Sequence, residues 1–254
     1  MLFDTHTHYN DPRFDEDRDA VLSSMQENNV GYILNAGCSV KSSGDSIALA
    51  EKYDFIYSSA GVHPIYTEGI SREDYDTVKK LAAHSKVKAI GEIGLDYFRK
   101  PDDREIQKEA FDTQIDISRE LNLPFIIHCR DACKDVLDII KAKGAGGDAL
   151  WHCFSESVET ARIILNMGLT IAVGGTVTFK NNVRTVEAVR YIPLENLVIE
   201  TDCPYLSPTP HRGERNSSLN IHLVAEKIAE IKGISFEEVE EITTTNAKKF
   251  FNIE

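Results

Sequence analysis

The sequence predicts an α/β chain folded as one (β/α)8 TIM barrel over residues 1–254, and three observations predict it. Short apolar, β-rich runs begin near Leu2, Tyr32, Ile56, Lys88, Pro124, Asp148, Leu169 and Leu197, every 21 to 36 residues, which is room for one strand and one helix each. Eight such units in 254 residues match the size of a barrel. A doubly wound sheet would more often show fewer strands and a glycine fingerprint after the first, and no G-x-G-x-x-G stands there.

Each element follows from local pattern. The first run leads into Asp4-Thr5-His6-Thr7-His8 and the third into Gly61-Val62-His63-Pro64. The fourth leads into Glu92, and a helix should follow it, because Ile106, Ala110, Ile117 and Leu121 recur on one helical face. The fifth run ends at His128 and the sixth at His152, with Gly144-Ala145-Gly146-Gly147 short enough for the turn between a helix and a strand. The eighth ends in Glu200-Thr201-Asp202, and Ser235-Phe236-Glu237-Glu238 reads as a capping box opening the last helix. No linker, charge block or low-complexity segment divides the chain, so one domain is expected.

Composition narrows the function. Lys plus Arg number 28 against 41 Asp plus Glu, a net charge of −13, which disfavours nucleic-acid binding through a general basic surface. A nucleic-acid substrate remains compatible if bound cations supply local positive charge. Five cysteines without C-x-x-C spacing predict reduced thiols rather than a disulfide framework or zinc ribbon. No apolar run has the length of a membrane helix, and the first residues lack the pattern of a signal peptide, so a cytoplasmic location is expected.

The chemistry gathers at one place in the repeating unit. His6, His8, Glu92, His128, His152 and Asp202 each stand just after the apolar part of a run, which in a barrel is the C-terminal rim where active sites are built. Any one alone reads as an ordinary buried polar group closing a strand. Together, four imidazoles and two carboxylates exceed one closed zinc site and suit two divalent ions (Mg, Mn or Zn) sharing a carboxylate, for which Glu92 is the natural bridge. His6, His8 and Asp202 would hold one ion, and His128 and His152 the other. Asp202 can also accept the proton of an attacking water, with Glu200 competing for that role or orienting a ligand. His63 could contact substrate or a leaving group, or be structural. Asp96, four residues after Glu92 and on the same strand face, could support a ligand or anchor a loop. Arg212 and Arg215, in the proline-rich segment after the eighth run, look like phosphate ligands or a solvated basic turn.

These residues carry a resemblance to the TatD family of metal-dependent deoxyribonucleases, through Asp4-Thr5-His6-Thr7-His8, Gly61-Val62-His63-Pro64, Ile90-Gly91-Glu92-Ile93-Gly94-Leu95-Asp96-Tyr97, His128-Cys129-Arg130, His152-Cys153-Phe154-Ser155, Glu200-Thr201-Asp202-Cys203-Pro204-Tyr205-Leu206, Arg212-Gly213-Glu214-Arg215-Asn216 and Asn246-Ala247. The resemblance implies a barrel of the amidohydrolase-like superfamily whose divalent-metal centre hydrolyses phosphodiesters, typically as a 3′-to-5′ exonuclease on single-stranded DNA. The family's metal positions match His6, His8, Glu92, His128, His152 and Asp202. The chain departs from it at Glu156, Ile65 and Ser217-Ser218, where members often carry glycine, histidine and Glu-Pro. Two other readings compete. One is an amidohydrolase or phosphotriesterase of a small molecule, although Glu92 stands where that group usually has a carboxylated lysine. The other is a non-catalytic metal-binding protein. No membrane or obligatory protein partner is expected.

Overall fold

The computed structural model describes residues 1–254. Eight parallel strands lie in chain order in one nearly closed sheet, alternating with helices, which is the (β/α)8 barrel expected from the recurrence. In order they are β1 (Leu2–Thr7), α1 (Arg18–Ser23), β2 (Val30–Asn35), α2 (Val40–Lys52), β3 (Ile56–Ala60), α3 (Arg72–Ala82), β4 (Val87–Asp96) and α4 (Arg104–Glu120). Then come β5 (Phe125–Arg130), α5 (Cys133–Lys143), β6 (Ala149–Trp151), α6 (Val158–Asn166), β7 (Thr170–Val173), α7 (Val183–Tyr191), β8 (Leu197–Ile199), α8 (Ile221–Lys232) and an additional helix, α9 (Phe236–Phe250). Every strand begins within two residues of its expected start. By packing, the chain divides into two compact units.

The first unit comprises Met1–Asn35, Cys153–Asn166 and Thr170–Glu254. All six residues of β1 are buried, as a parallel strand covered on both faces requires. That leaves its polar side chains needing partners. Thr5 Oγ1 donates to the Ile199 carbonyl at 2.9 Å, and Thr7 pairs with Cys203, so β1 is joined to the chain at and beyond β8. Just past the end of α9, the Phe251 ring packs at a tilt against Phe3, ring centroids 5.8 Å apart. The start of α9 is fixed by Ser235, whose hydroxyl accepts from the Glu238 amide at 3.1 Å, which is the N-cap half of the expected capping box without the return bond from the Glu238 side chain.

The second unit comprises Ala36–His152 with Met167–Leu169. Here β4 runs four residues past Glu92, to Asp96, so Glu92 sits within the strand and not at its end. Its Gly94 has φ +141° and packs so closely on β5 that a Cβ would lie 2.0 Å from the His128 carbonyl oxygen. Helix α4 corrects one expectation: Ile106 is 44% exposed, and the buried face is Gln107, Ala110, Phe111, Gln114, Ile115, Ile117 and Ser118. Two glutamines replace apolar residues on this face because each pairs a backbone peptide. Gln107 Oε1 accepts from the Asp96 amide at 2.7 Å and its Nε2 donates to the Asp96 carbonyl at 3.2 Å. Gln114 does the same for Val62, at 2.7 and 3.0 Å. Gly144, at φ +62°, ends α5 in the expected glycine turn.

Candidate metal centre

In the second unit three imidazoles converge on one carboxylate oxygen. Glu92 Oε1 lies 2.6 Å from His128 Nδ1, 3.5 Å from His63 Nε2 and 3.7 Å from His152 Nε2. On its other oxygen, Oε2, the Cys38 thiol donates at 3.6 Å. Glu92 is 3% exposed and its amide donates to the Gly37 carbonyl at 2.7 Å, so the carboxylate is held from both ends.

The histidine orientations have local causes. His63 Nδ1 accepts from the Ile65 amide at 3.1 Å, which makes it the acceptor nitrogen and places the proton of a neutral ring on Nε2, facing Glu92. A ring in that state is a donor toward Glu92 or a substrate oxygen rather than a ligand. His128 is gripped at both nitrogens, Nδ1 by Glu92 and Nε2 by Asp96 Oδ2 at 3.2 Å. Burial pulls its pKa down, but the two carboxylates outweigh that and raise it above the ordinary value. Asp96 is fully buried. Burial pushes its carboxyl up, and the hydrogen bonds from His128 and the Arg99 amide more than offset this and lower it. Asp96 anchors its loop as well as holding His128, since its Oδ1 also accepts the Phe98 and Arg99 amides at 3.1 and 2.8 Å. A carboxylate behind an imidazole fixes its tautomer and raises its basicity, as in supported metal sites.

In the first unit His6 and His8 approach through their Nε2 atoms at 3.2 Å, and His8 Nε2 lies 3.3 Å from Asp202 Oδ1. Two imidazole nitrogens this close need a shared proton or cation between their lone pairs. The backbone that presents them is interlocked: His8 donates to the Cys203 carbonyl at 2.8 Å and Asp202 to the His6 carbonyl at 3.0 Å. Asn35 Oδ1 accepts from both neighbours of His8, the Thr7 hydroxyl at 3.2 Å and the Tyr9 amide at 2.6 Å. Glu200 is fully buried, and its Oε1 accepts the Cys153 amide at 2.7 Å, bracing the turn that follows His152. Asp4, two residues before His6 on β1, is fully buried. Its Oδ2 accepts the Thr201 and Ser218 hydroxyls at 2.6 Å each, and its Oδ1 the Thr201 amide at 2.9 Å. Burial pushes its carboxyl up to about 7 against the pull of these donors.

The arginines differ. Arg215 makes a two-point ion pair with Asp17, at 2.8 and 2.6 Å, and donates to the Arg13 carbonyl at 2.6 Å, so it ties its loop to the segment before α1. Arg212 is exposed and lies 3.9 Å over the Phe179 ring. Sequence reasoning missed Asn35, Gln107, Gln114 and Cys38. Only the glutamines left a signal, as two amides seven residues apart on an otherwise apolar helix face.

The donor set suits divalent cations. Asp4, Glu92, Asp96 and Glu200 are buried, as are His6, His63 and His152, while no lysine or arginine is buried. Apart from Arg99, half exposed with its Nε 4.0 Å from Asp96 Oδ2, no lysine or arginine pairs with these carboxylates, and buried carboxylates so grouped are stabilised by bound cations. Nitrogen and oxygen donors from histidine and carboxylate fit zinc and manganese, and magnesium where the carboxylates dominate.

Comparison with known proteins agrees. YabD of Bacillus subtilis (strain 168), an uncharacterized metal-dependent hydrolase, is 45% identical over 256 residues that span 100% of both chains. YcfH of Escherichia coli (strain K12), also an uncharacterized metal-dependent hydrolase, is 38% identical over 260 residues, covering 100% of this chain and 97% of that one. The crystal structure of YJJV, a TatD homolog from Escherichia coli K12, superposes with a TM-score of 0.93 at 28% identity, covering 100% of this chain and 98% of that one. The family model of TatD related DNases matches residues 3–252. With barrel, donor set and sequence in agreement, the chain belongs to the TatD family of metal-dependent hydrolases.

Proposed function

We propose that this hydrolase cleaves phosphodiester bonds of DNA, as a 3′-to-5′ exonuclease on single strands, with two divalent ions. The observation that carries the reading is the convergence of three imidazoles on Glu92 Oε1. A carboxylate so surrounded, with Oε2 turned elsewhere, is suited to be shared. His128, His152 and Glu92 would hold one ion, and His6, His8, Asp202 and Glu92 the other, since the ends of parallel barrel strands form one rim. Such ions, when bound, polarise a phosphoryl oxygen and make water acidic enough to attack near neutral pH.

The chain's own groups then divide the remaining work. Asp202, partly exposed, takes the proton of the attacking water at its carboxylate. Glu200, buried and committed to the Cys153 amide, positions the turn beside His152. His63, with its proton on Nε2, donates a hydrogen bond to substrate or leaving-group oxygen. Arg212 offers an exposed guanidinium to the strand backbone, and Arg215 holds that loop in place through Asp17. The family description supports nucleic acid as substrate. A cytoplasmic setting belongs to the same proposal, and no helix is long and apolar enough to cross a membrane.

Product mapping tests it. End-labelled single-stranded DNA and RNA are incubated with the protein over a magnesium, manganese and zinc series. Stepwise shortening of DNA from the 3′ end, abolished by chelation, is expected. Intact oligonucleotides beside hydrolysis of a small ester or amide would transfer the protein to the small-molecule reading.

A further inference from the structure

Phe98 is 60% exposed and stands beside a buried polar site. It stands in the turn after β4, and that turn is not loose. Asp96 Oδ1 accepts the Phe98 and Arg99 amides, while Asp96 Oδ2 holds His128 Nε2 at 3.2 Å. One carboxylate therefore fixes both a candidate ligand and the exposed ring. The register Asp96 to Arg130 between β4 and β5 sets Arg130 alongside, and its guanidinium carbon lies 4.0 Å from the Phe98 ring centroid. Arg130 follows His128 by two residues, on the same face of β5 and about 6 to 7 Å further along.

What Arg130 lacks is a carboxylate. Arg13, Arg18, Arg99, Arg184 and Arg215 are each paired with Asp or Glu, whereas Arg130, like Arg212, stacks on an aromatic ring without a carboxylate partner, and Arg130 is the one of the two that stands on the strand of His128. A guanidinium with all its donors open to solvent, stacked on an aromatic ring that is itself open, is a surface for a ligand with both a π-face and an anionic backbone. Aromatic rings with arginine are the usual platform for bases of single strands. Tyr66, 54% exposed with its ring 6.3 Å from that of His63, puts a second open ring beside the same group of histidines.

We propose that Phe98 and Arg130 form a stacking platform for one nucleobase of a single strand held at the metal centre, the base on the ring and the adjoining phosphate on the guanidinium. This rests on the nuclease reading and adds residues to it. It makes Phe98 a binding residue independent of base identity, because every base has a π-face.

The test uses the metal-loaded full chain, as wild type, Phe98→Ala, Phe98→Trp and Arg130→Ala. The substrates are a single-stranded oligodeoxynucleotide and copies of it with one abasic residue at each of the last few positions. In the wild type an abasic residue at one position should lower kcat/KM by roughly 5- to 100-fold. Phe98→Ala should show that loss on the intact strand and no further penalty at that position, and Phe98→Trp should restore the wild-type pattern. Arg130→Ala should make the logarithmic salt dependence of binding shallower by about one. If the wild type cleaves the strand and Phe98→Ala matches it, or keeps the full abasic penalty, the platform is wrong while the nuclease reading stands. If Phe98→Trp is as damaged as Phe98→Ala and both lose metal, the ring acts through Asp96 and the platform is again wrong. If the wild type neither binds nor cleaves any strand, the nuclease reading fails and takes the platform with it.

Discussion

Asp202 adopts a left-handed backbone, φ +56°, a conformation disfavoured for a residue with a Cβ and held here by the hydrogen bond from its amide to the His6 carbonyl. Backbone held this way aims the carboxylate at His8. If Asp202 takes the proton of the attacking water, Asp202→Asn should fold, keep most of its metal and lose roughly a hundredfold or more in turnover. Glu200→Gln keeps an oxygen for the Cys153 amide, so a milder loss is expected. Turnover of both at saturating metal decides the matter, and a nearly active Asp202→Asn beside an inactive Glu200→Gln would give the base role to Glu200. Arg212→Ala should weaken oligonucleotide binding and flatten its salt dependence by about one, at unchanged metal content. Arg215→Ala should chiefly loosen the loop, and equal salt slopes in wild type and Arg212→Ala would remove the phosphate role. The six candidate ligands were legible because each is a polar residue standing just after the apolar part of a run. Their supports were not: Asn35, Ser218 and Thr201 reach their partners across the fold, and such pairings leave no period in the sequence.

Elements, more than single side chains, set where the candidate ligands stand. Helix α4 reaches over to the ends of β3 and β4 through Gln114 and Gln107, each acting as a short piece of strand toward Val62 and Asp96. The period-based reading put Ile106 inward because hydrophobicity alone cannot show that two glutamines have peptide partners. Gln114→Leu keeps the volume but strands a buried amide and carbonyl, which should cost about 2 to 4 kcal/mol in urea denaturation. A change below half a kcal/mol would mean that water takes over both bonds. Gly94→Ala meets backbone, not a movable side chain, 2.0 Å from its new carbon, so β4 and β5 must separate where His128 is presented. Metal titration by calorimetry should show weakened binding even if the variant folds. Strand existence and order were readable from spacing. So was the run of β4 past Glu92, because Asp96, four residues on, falls on the same strand face.

At the scale of the whole molecule, a buried carboxyl shares in barrel closure with the Thr5 and Thr7 contacts of β1. Asp4 of β1 accepts from Thr201, just past β8, and from Ser218, in the loop before α8, while Ser218 also accepts from the Tyr9 hydroxyl at 3.0 Å. Burial raises the Asp4 carboxyl from 3.8 to about 7, with Glu200 adding to the rise and the hydroxyl donors opposing it. Below about pH 4 the carboxyl is protonated whether the chain is folded or not, and its contribution to stability is complete. As pH rises from there toward 7 the unfolded chain releases the proton and the folded one retains it, so stability falls with a slope near 1.4 kcal/mol per pH unit. Above about 7 both states are ionised and the loss levels off, at a few kcal/mol. Other carboxylates shift the absolute profile, Asp11 among them, held at about 2 chiefly by its hydrogen bonds with Arg13. The difference between wild type and Asp4→Asn isolates Asp4, since asparagine has no proton to release. Measured by denaturation of chelated protein, the advantage of wild type over the variant should shrink steadily between pH 4 and 7 and then hold constant. A difference flat across that range would mean that the donors from Thr201 and Ser218 keep Asp4 ionised in the fold, and that closure is made by a buried anion and not by a carboxylic acid.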